Sequence, residues 1–278
     1  MAVKVPTLIR VNGLLVPDFI NVDRLKDFEL YPDDVWVVTY PKCGTTWTQQ
    51  IVRLIRNKGV QDGVRITAAV PFLEANSFYQ LDIDKIVRPR AFKSHFPYDL
   101  FPCGPPHTTP CKYIYVARNP KDVAVSLYFH TRALTFPDMD WETFWKKYIS
   151  GDLDYGNYFD HLLSWLPHKD DKNVLFLKYE DMKRNLLRAV SQIAAFIGVD
   201  LSSDVIAKIA ELASFEKMQH DSTTNYAWSK LRSENAPGFL RRGVIGDWKN
   251  FLSVEQSAEM NAICAERLKD TGLQFQYE

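Results

Sequence analysis

The sequence predicts an α/β fold, a single domain with a central parallel β-sheet flanked by helices and a P-loop-like anion-binding loop. Three observations predict it. Runs of β-branched and aromatic residues, VWVVTY (35–40), KYIYVA (112–117) and NVLFLKY (173–179), read as buried strands. After each comes a stretch whose apolar residues recur at helical spacing, which argues for strand–helix alternation and a parallel sheet. The first run ends in PKCGTT (41–46), at the strand end where such sheets bind ligands.

The elements follow in order. TWTQQIVRLIRNKG (46–59) carries Trp47, Ile51, Leu54 and Ile55 on one helical face, and Gly59 reads as its stop. RAFKSH (90–95) is a short strand. KYIYVA leads into NPKDVAVSLYFHTRAL, where Pro120 suits a first helical turn. NVLFLKY leads into NLLRAVSQIAAFIGV (185–199), again spaced as a helix. Pro41, Arg118 and Tyr179 therefore fall at carboxyl ends of strands.

Composition narrows the function. The chain has 278 residues, with no Pro/Gly/Ser-rich linker and no internal repeat, so one domain over residues 1–278 is expected. Lys+Arg and Asp+Glu both number 34, which disfavours a broad nucleic-acid-binding field and makes any anion site local. The opening segment MAVKVPTLIRVNGLLVPDFI lacks a continuous apolar run and carries prolines, unlike a signal peptide or membrane span. Cys43, Cys103, Cys111 and Cys264 show no CxxC spacing. These features point to a cytoplasmic protein with no membrane or nucleic-acid partner.

The turn at 41–46 asks for an anion. A helix start exposes unpaired N–H groups at the positive end of the macrodipole, glycine lets backbone approach a ligand, and Lys42 adds a full charge. A purely structural turn has the same composition. Walker A spacing, GxxxxGK[ST], is absent because the lysine precedes the glycine, so an ordinary ATPase or GTPase is disfavoured.

TYPKCGTTW, then KSH at 93–95, ARNPKDVAVS at 117–126, YEDM at 179–182 and FLRRGVIGDWKN at 239–250, resembles the cytosolic sulfotransferase family. Those enzymes transfer a sulfuryl group from 3′-phosphoadenosine-5′-phosphosulfate (PAPS) to a hydroxyl or amine of a small acceptor, leaving PAP. The resemblance implies that Lys42, Gly44, Thr45 and Thr46 cradle the 5′-phosphosulfate, with Trp47 beside the adenine. It places Arg118 and Ser126 on the 3′-phosphate, completed by Leu240, Arg241, Arg242 and Gly243. Tyr179 and Phe215 fit the adenine pocket. His95 matches the catalytic base, Lys42 offsets charge on the departing phosphate, and Lys93 stabilises the sulfuryl oxygens, with no metal. Ser126 is expected to hold Lys42 back until an acceptor arrives.

Phe72, Phe136 and Tyr226 should wall the acceptor pocket, and aromatic walls favour phenols or aryl amines. Two other classes fit less well. An atypical nucleotide or nucleoside kinase needs a Mg²⁺ carboxylate, for which Asp122 and Asp181 are nearest. A non-catalytic PAP-binding relative has no need of Lys42, Lys93 and His95 together. The chain departs from the family pattern at Ala213, before Ser214-Phe215, and at Ala258 in a C-terminal dimer motif otherwise carried by Lys249, Ser253 and Val254, so a monomer or weak homodimer is expected. Cys43 stands where the family has Ser. Beside Lys42 and a helix start it is either a reactive thiolate or a small packed residue.

Overall fold

The protein is described by a computed structural model over residues 6–80, 82–229 and 238–278. It begins with a hairpin, β1 (Leu8–Val11) and β2 (Leu14–Pro17), closed by Asn12 and Gly13, both left-handed at φ 51° and 84°. An Asn-Gly pair suits that turn because both positions need positive φ.

The main sheet is wholly parallel. Its strands β3 (Val35–Val38), β4 (Ala91–Ser94), β5 (Lys112–Ala117) and β6 (Val174–Lys178) lie in the order β4-β3-β5-β6. These are the predicted strands, with β3 two residues shorter than its apolar run because Thr39 and Tyr40 enter the turn. Every residue of β3 is buried, as helices on both faces require.

Alternate side chains of β3 serve two cores. Val35 and Val37 pack with Ile51 and Leu54 of α1 (Thr45–Arg56), below which a short α2 (Ile66–Ala69) follows, while Trp36 and Val38 face the opposite layer. That layer contains α3 (Pro120–Leu134), α4 (Trp141–Ser150) and α5 (Tyr158–Trp165). After β6 come α6 (Tyr179–Arg184), then α7 (Leu186–Ile197) and α8 (Ser203–Leu212), which join the α1 layer. A short α9 (Phe215–His220) and α10 (Val254–Arg267) complete the chain, α10 placing Met260 against α3's layer. Among the described residues no helix is long and apolar enough to cross a membrane.

The topology opens a crevice. From β3 the chain turns to β4 on one side, and from β5 it turns to β6 on the other, so the connections diverge at the carboxyl ends of β3 and β5. Ligands bind at such a switch point.

The start of the sheet is tied by a buried ion pair. Arg90 is 7% exposed and Asp34 0%, and Arg90 Nε donates to Asp34 Oδ1 at 2.8 Å while Nη2 donates to Oδ2 at 2.5 Å. The planar fork matches the carboxylate edge on. Removing one partner leaves a buried charge uncompensated, so Arg90→Ala should cost about 3–5 kcal/mol in urea unfolding. Arg88→Ala, at the half-exposed pair with Asp33, should leave the midpoint nearly in place. Equal shifts for the two variants would contradict this assignment.

Candidate active site

The loop after β3 has the backbone an anion cradle needs. Lys42 is left-handed at φ 71°, and Gly44 caps α1 at φ 97° with no side-chain cap on the helix. A Cβ at Gly44 would lie 2.9 Å from the Tyr179 ring, so close approach as well as φ requires glycine there. Thr45 Oγ1 sits 2.7 Å from Thr39 Oγ1, fastening the helix start to the strand end. Lys42 Nζ lies 4.2 Å from the Phe239 ring centroid. Trp47 meets Tyr179 edge-on at 5.3 Å and donates through Nε1 to the Ala213 carbonyl at 2.7 Å. At Ala213 this contact is made by the backbone, so it does not depend on the side chain at that position.

At the end of β4, Lys93 and His95 point to the same side of the strand. His95 is 8% exposed, and its Nδ1 lies 2.8 Å from the Thr39 carbonyl, which can only accept. Nδ1 therefore carries the hydrogen and Nε2 keeps its lone pair. Burial, followed by the Lys93 charge, holds the imidazole well below its ordinary 6.5, hence neutral at physiological pH. Lys93 Nζ lies 4.2 Å above the Phe72 ring, and burial brings its pKa down to about 8. Glu74 opposes that shift; it is fully buried, accepts from the Ser94 hydroxyl, and is itself pushed up to about 7 by burial.

The ends of β5 and β6 build a second cationic lobe. Arg118 donates from Nη1 to the Lys42 carbonyl at 3.1 Å and from Nη2 to the Val244 carbonyl at 3.2 Å, with its guanidinium 4.3 Å from the Tyr179 ring centroid. Its Nε is buried and unpartnered among the described residues. Arg241 and Arg242 both reach Asp247, the latter at 2.9 Å. Gly243 is left-handed at φ 61°, and a Cβ there would lie 2.1 Å from the Phe215 ring. Asp122 accepts from the Gly246 and Trp248 N–H groups at 2.8 and 3.0 Å, pinning this arginine segment to the start of α3.

These groups surround one cavity of about 210 Å³, lined by every residue predicted for the site except Phe136. Phe136 is half-buried just past α3, where its N–H turns back to the Thr131 carbonyl at 2.9 Å, and Leu134 and Thr135 line the cavity instead. Three positioning residues escaped the sequence reading. His161 accepts from the Tyr115 hydroxyl at Nδ1 and donates from Nε2 to the His95 carbonyl at 3.1 Å. Glu180 receives the Asn119 N–H at 2.8 Å, joining the ends of β5 and β6. Asp247 gathers the two arginines. The partners of His161 and Glu180 are distant in sequence and leave no local pattern, while Asp247 reaches arginines that precede it in the same loop.

Burial decides between the two readings of Cys43. Its side chain is fully buried in the core with Trp36 and Tyr40, and burial pushes the thiol up, outweighing the nearby Arg118 and Lys42 charges. It is the packed alternative, not a thiolate. Folded protein should therefore show no labelling of Cys43 by N-ethylmaleimide at neutral pH, with labelling appearing only on unfolding. Rapid modification of Cys43 in native protein, read by peptide mass, would contradict its burial.

The chain matches the sulfotransferase domain family over residues 32–272. It is 39% identical over 263 residues to the amine sulfotransferase of Oryctolagus cuniculus, covering 91% of this chain and 87% of that one. To sulfotransferase 1B1 of Canis lupus familiaris it is 36% identical over 273 residues, covering 93% and 91%. Among solved structures, mouse sulfotransferase SULT7A1 complexed with PAP superposes with a TM-score of 0.77 at 30% identity, covering 95% and 94%. Retinol dehydratase in complex with androsterone and PAP superposes with a TM-score of 0.84 at 25% identity, covering 98% and 92%. A fold with its site at the β3–β5 switch point, and matches across nearly the whole chain, lead to one conclusion: the protein belongs to the sulfotransferase family.

Proposed function

We propose that the protein transfers a sulfuryl group from PAPS to a small acceptor, with His95 as general base. The observation that carries this reading is the meeting of Lys42, Lys93, His95 and Arg118 around one cavity at the ends of three adjacent parallel strands. Two features suit an anionic nucleotide. Arg118 keeps a buried Nε without a partner, and Gly44 and Gly243 leave bare backbone against the Tyr179 and Phe215 rings. PAPS, when bound, supplies a sulfuryl group whose bond to the 5′-phosphate oxygen breaks, its electron pair leaving on PAP, as the acceptor oxygen bonds to sulfur. Lys42, Thr45 and Thr46 hold the 5′ side; Arg118, Ser126, Arg241, Arg242 and the Gly243 backbone hold the 3′-phosphate; Trp47, Tyr179 and Phe215 take the adenine.

His95 receives the acceptor proton at Nε2. The Thr39 carbonyl fixes its tautomer and ring, and such proton transfer contributes typically ~10²–10⁴ in rate. Lys93, still protonated near neutrality, faces the transferring oxygens. Phe72 packs edge-on against His95 at 5.4 Å and, with Tyr226, walls the acceptor side. A kinase reading has weaker support: Asp122 is engaged by backbone N–H groups, and Asp181 lies beside Lys178 at 3.2 Å. A role in small-molecule metabolism in the cytoplasm is part of this proposal, and the similarity to the amine sulfotransferase and sulfotransferase 1B1 supports it.

His95→Ala should abolish transfer while calorimetry shows PAP binding nearly intact; activity above a tenth of wild type would remove His95 from the role of base. Because a base must be unprotonated and burial lowers this imidazole, kcat/KM should hold across neutral pH and fall on acidification with a midpoint below 6.5. A midpoint above 7 would contradict the buried, neutral imidazole. For the nucleotide lobes, Arg118→Ala should weaken PAP by about tenfold or more while affecting adenosine 5′-phosphosulfate far less, since only PAP carries a 3′-phosphate. Equal losses would refute that assignment.

A further inference from the structure

Asp154 lies in the turn between α4 and α5, 8% exposed, and it lines the acceptor side of the cavity. The turn is rigidly held. Tyr155 is left-handed at φ 67° and donates its N–H to the Leu15 carbonyl at 2.7 Å, Gly156 closes back on Leu153 at 3.1 Å, and the Tyr40 hydroxyl donates to the Gly156 carbonyl at 3.0 Å. The neighbouring Tyr155 ring leans on the His95 imidazole with centroids 5.1 Å apart. The carboxylate is thus fixed one residue from a side chain that touches the proposed base.

No lysine, arginine or histidine among the described residues forms an ion pair with Asp154, and its own backbone N–H is what eases its charge. The three lysines that line the cavity lie elsewhere, Lys42 over Phe239, Lys93 over Phe72 and Lys183 toward Phe215. Burial raises the carboxyl to about 6, which leaves it ionised at neutral pH. A buried anion of this kind is costly until a cation meets it. The rings of Phe19, Tyr79, Tyr155 and Tyr226 line the same cavity. Aromatic faces beside a carboxylate attract an alkylammonium by charge and by cation–π contact, and they leave a flat ring system equally well packed.

We infer that Asp154 is a specificity-determining residue and that the acceptor is an aromatic molecule bearing a protonated aliphatic amine in addition to the hydroxyl that is sulfated. A nitrogen held as ammonium has no lone pair to offer sulfur, so the oxygen is the nucleophile and the ammonium keeps its protons. This inference rests on the sulfuryl-transfer reading and narrows its acceptor class.

The test compares tyramine with para-propylphenol, two phenols of similar size of which only the first carries an ammonium group. Wild-type protein loaded with PAP should bind tyramine more tightly by calorimetry, and kcat/KM with PAPS should favour tyramine. Asp154→Asn should lower kcat/KM for tyramine by about tenfold or more and raise it for para-propylphenol, reversing the preference. A wild-type preference for para-propylphenol, no detectable tyramine binding, or parallel changes for both phenols in Asp154→Asn would overturn the inference. If Asp154→Asn does not fold, the wild-type comparison decides alone. PAP titrated without acceptor reads the nucleotide side separately. Protein that binds PAP but prefers para-propylphenol fails here while the sulfuryl-transfer reading stands, and protein that binds tyramine but not PAP shows the reverse.

Discussion

The hydrogen bond from His95 Nδ1 to the Thr39 carbonyl joins the two halves of the reaction. It spans the ends of β4 and β3, where the Thr39 N–H also reaches the Ser94 carbonyl at 3.3 Å, so the sheet ladder continues into the site. One bond sets three things at once. It selects the tautomer that leaves Nε2 basic, fixes the ring beside Phe72 and Tyr155, and locks the strand end from which the Lys42 loop departs. His161 supports it from behind through the His95 carbonyl. Rigid strands rather than loops thus carry the base, which keeps its position without a closing motion.

Acidic side chains arrange the cations on a chain whose formal charge sums to zero. Asp247 holds Arg241 and Arg242 side by side, Asp122 holds their loop, Glu180 ties the end of β5 to α6, and Glu74 sustains the charge of Lys93. Each carboxylate is buried, and each has a backbone N–H, a hydroxyl or a guanidinium within reach. Local charge density can therefore be high where a nucleotide carries several negative charges, without a basic exterior. Asp154 belongs to the same buried acidic set but pairs with no cation among the described residues, and this is what distinguishes the acceptor end of the cavity from the nucleotide end.

Much of this was legible in the sequence, for local reasons. The strands announced themselves as apolar β-rich runs, and the anion loop as a glycine, a lysine and two threonines at a strand end. Arg118 and His95 were assigned through the resemblance to the sulfotransferase family, with their places after strands as support. What could not be read depends on tertiary position. Cys43 has cationic neighbours that argue for a thiolate, yet desolvation in the core decides the matter, and burial is not written in a tripeptide. Phe136 sits two residues past the end of α3, and the backward turn of the chain there exchanges it for Leu134 and Thr135 in the cavity wall. His161 meets its partner across 66 residues and Glu180 across 61, so neither has a local signature. The Asn12-Gly13 hairpin, by contrast, carried a short-range signal that the apolar pattern around it obscured.

The most direct measurement of the central claim follows sulfur itself. Purified protein is incubated with PAPS labelled in its sulfur and an aromatic hydroxyl acceptor, and labelled product and PAP are quantified together through the time course. The account predicts equal amounts of PAP and acceptor sulfate at every time point, with no labelled inorganic sulfate beyond a protein-free control. PAP release accompanied by free sulfate, or no consumption of PAPS across phenolic, alcoholic and amine-bearing acceptors, would contradict it.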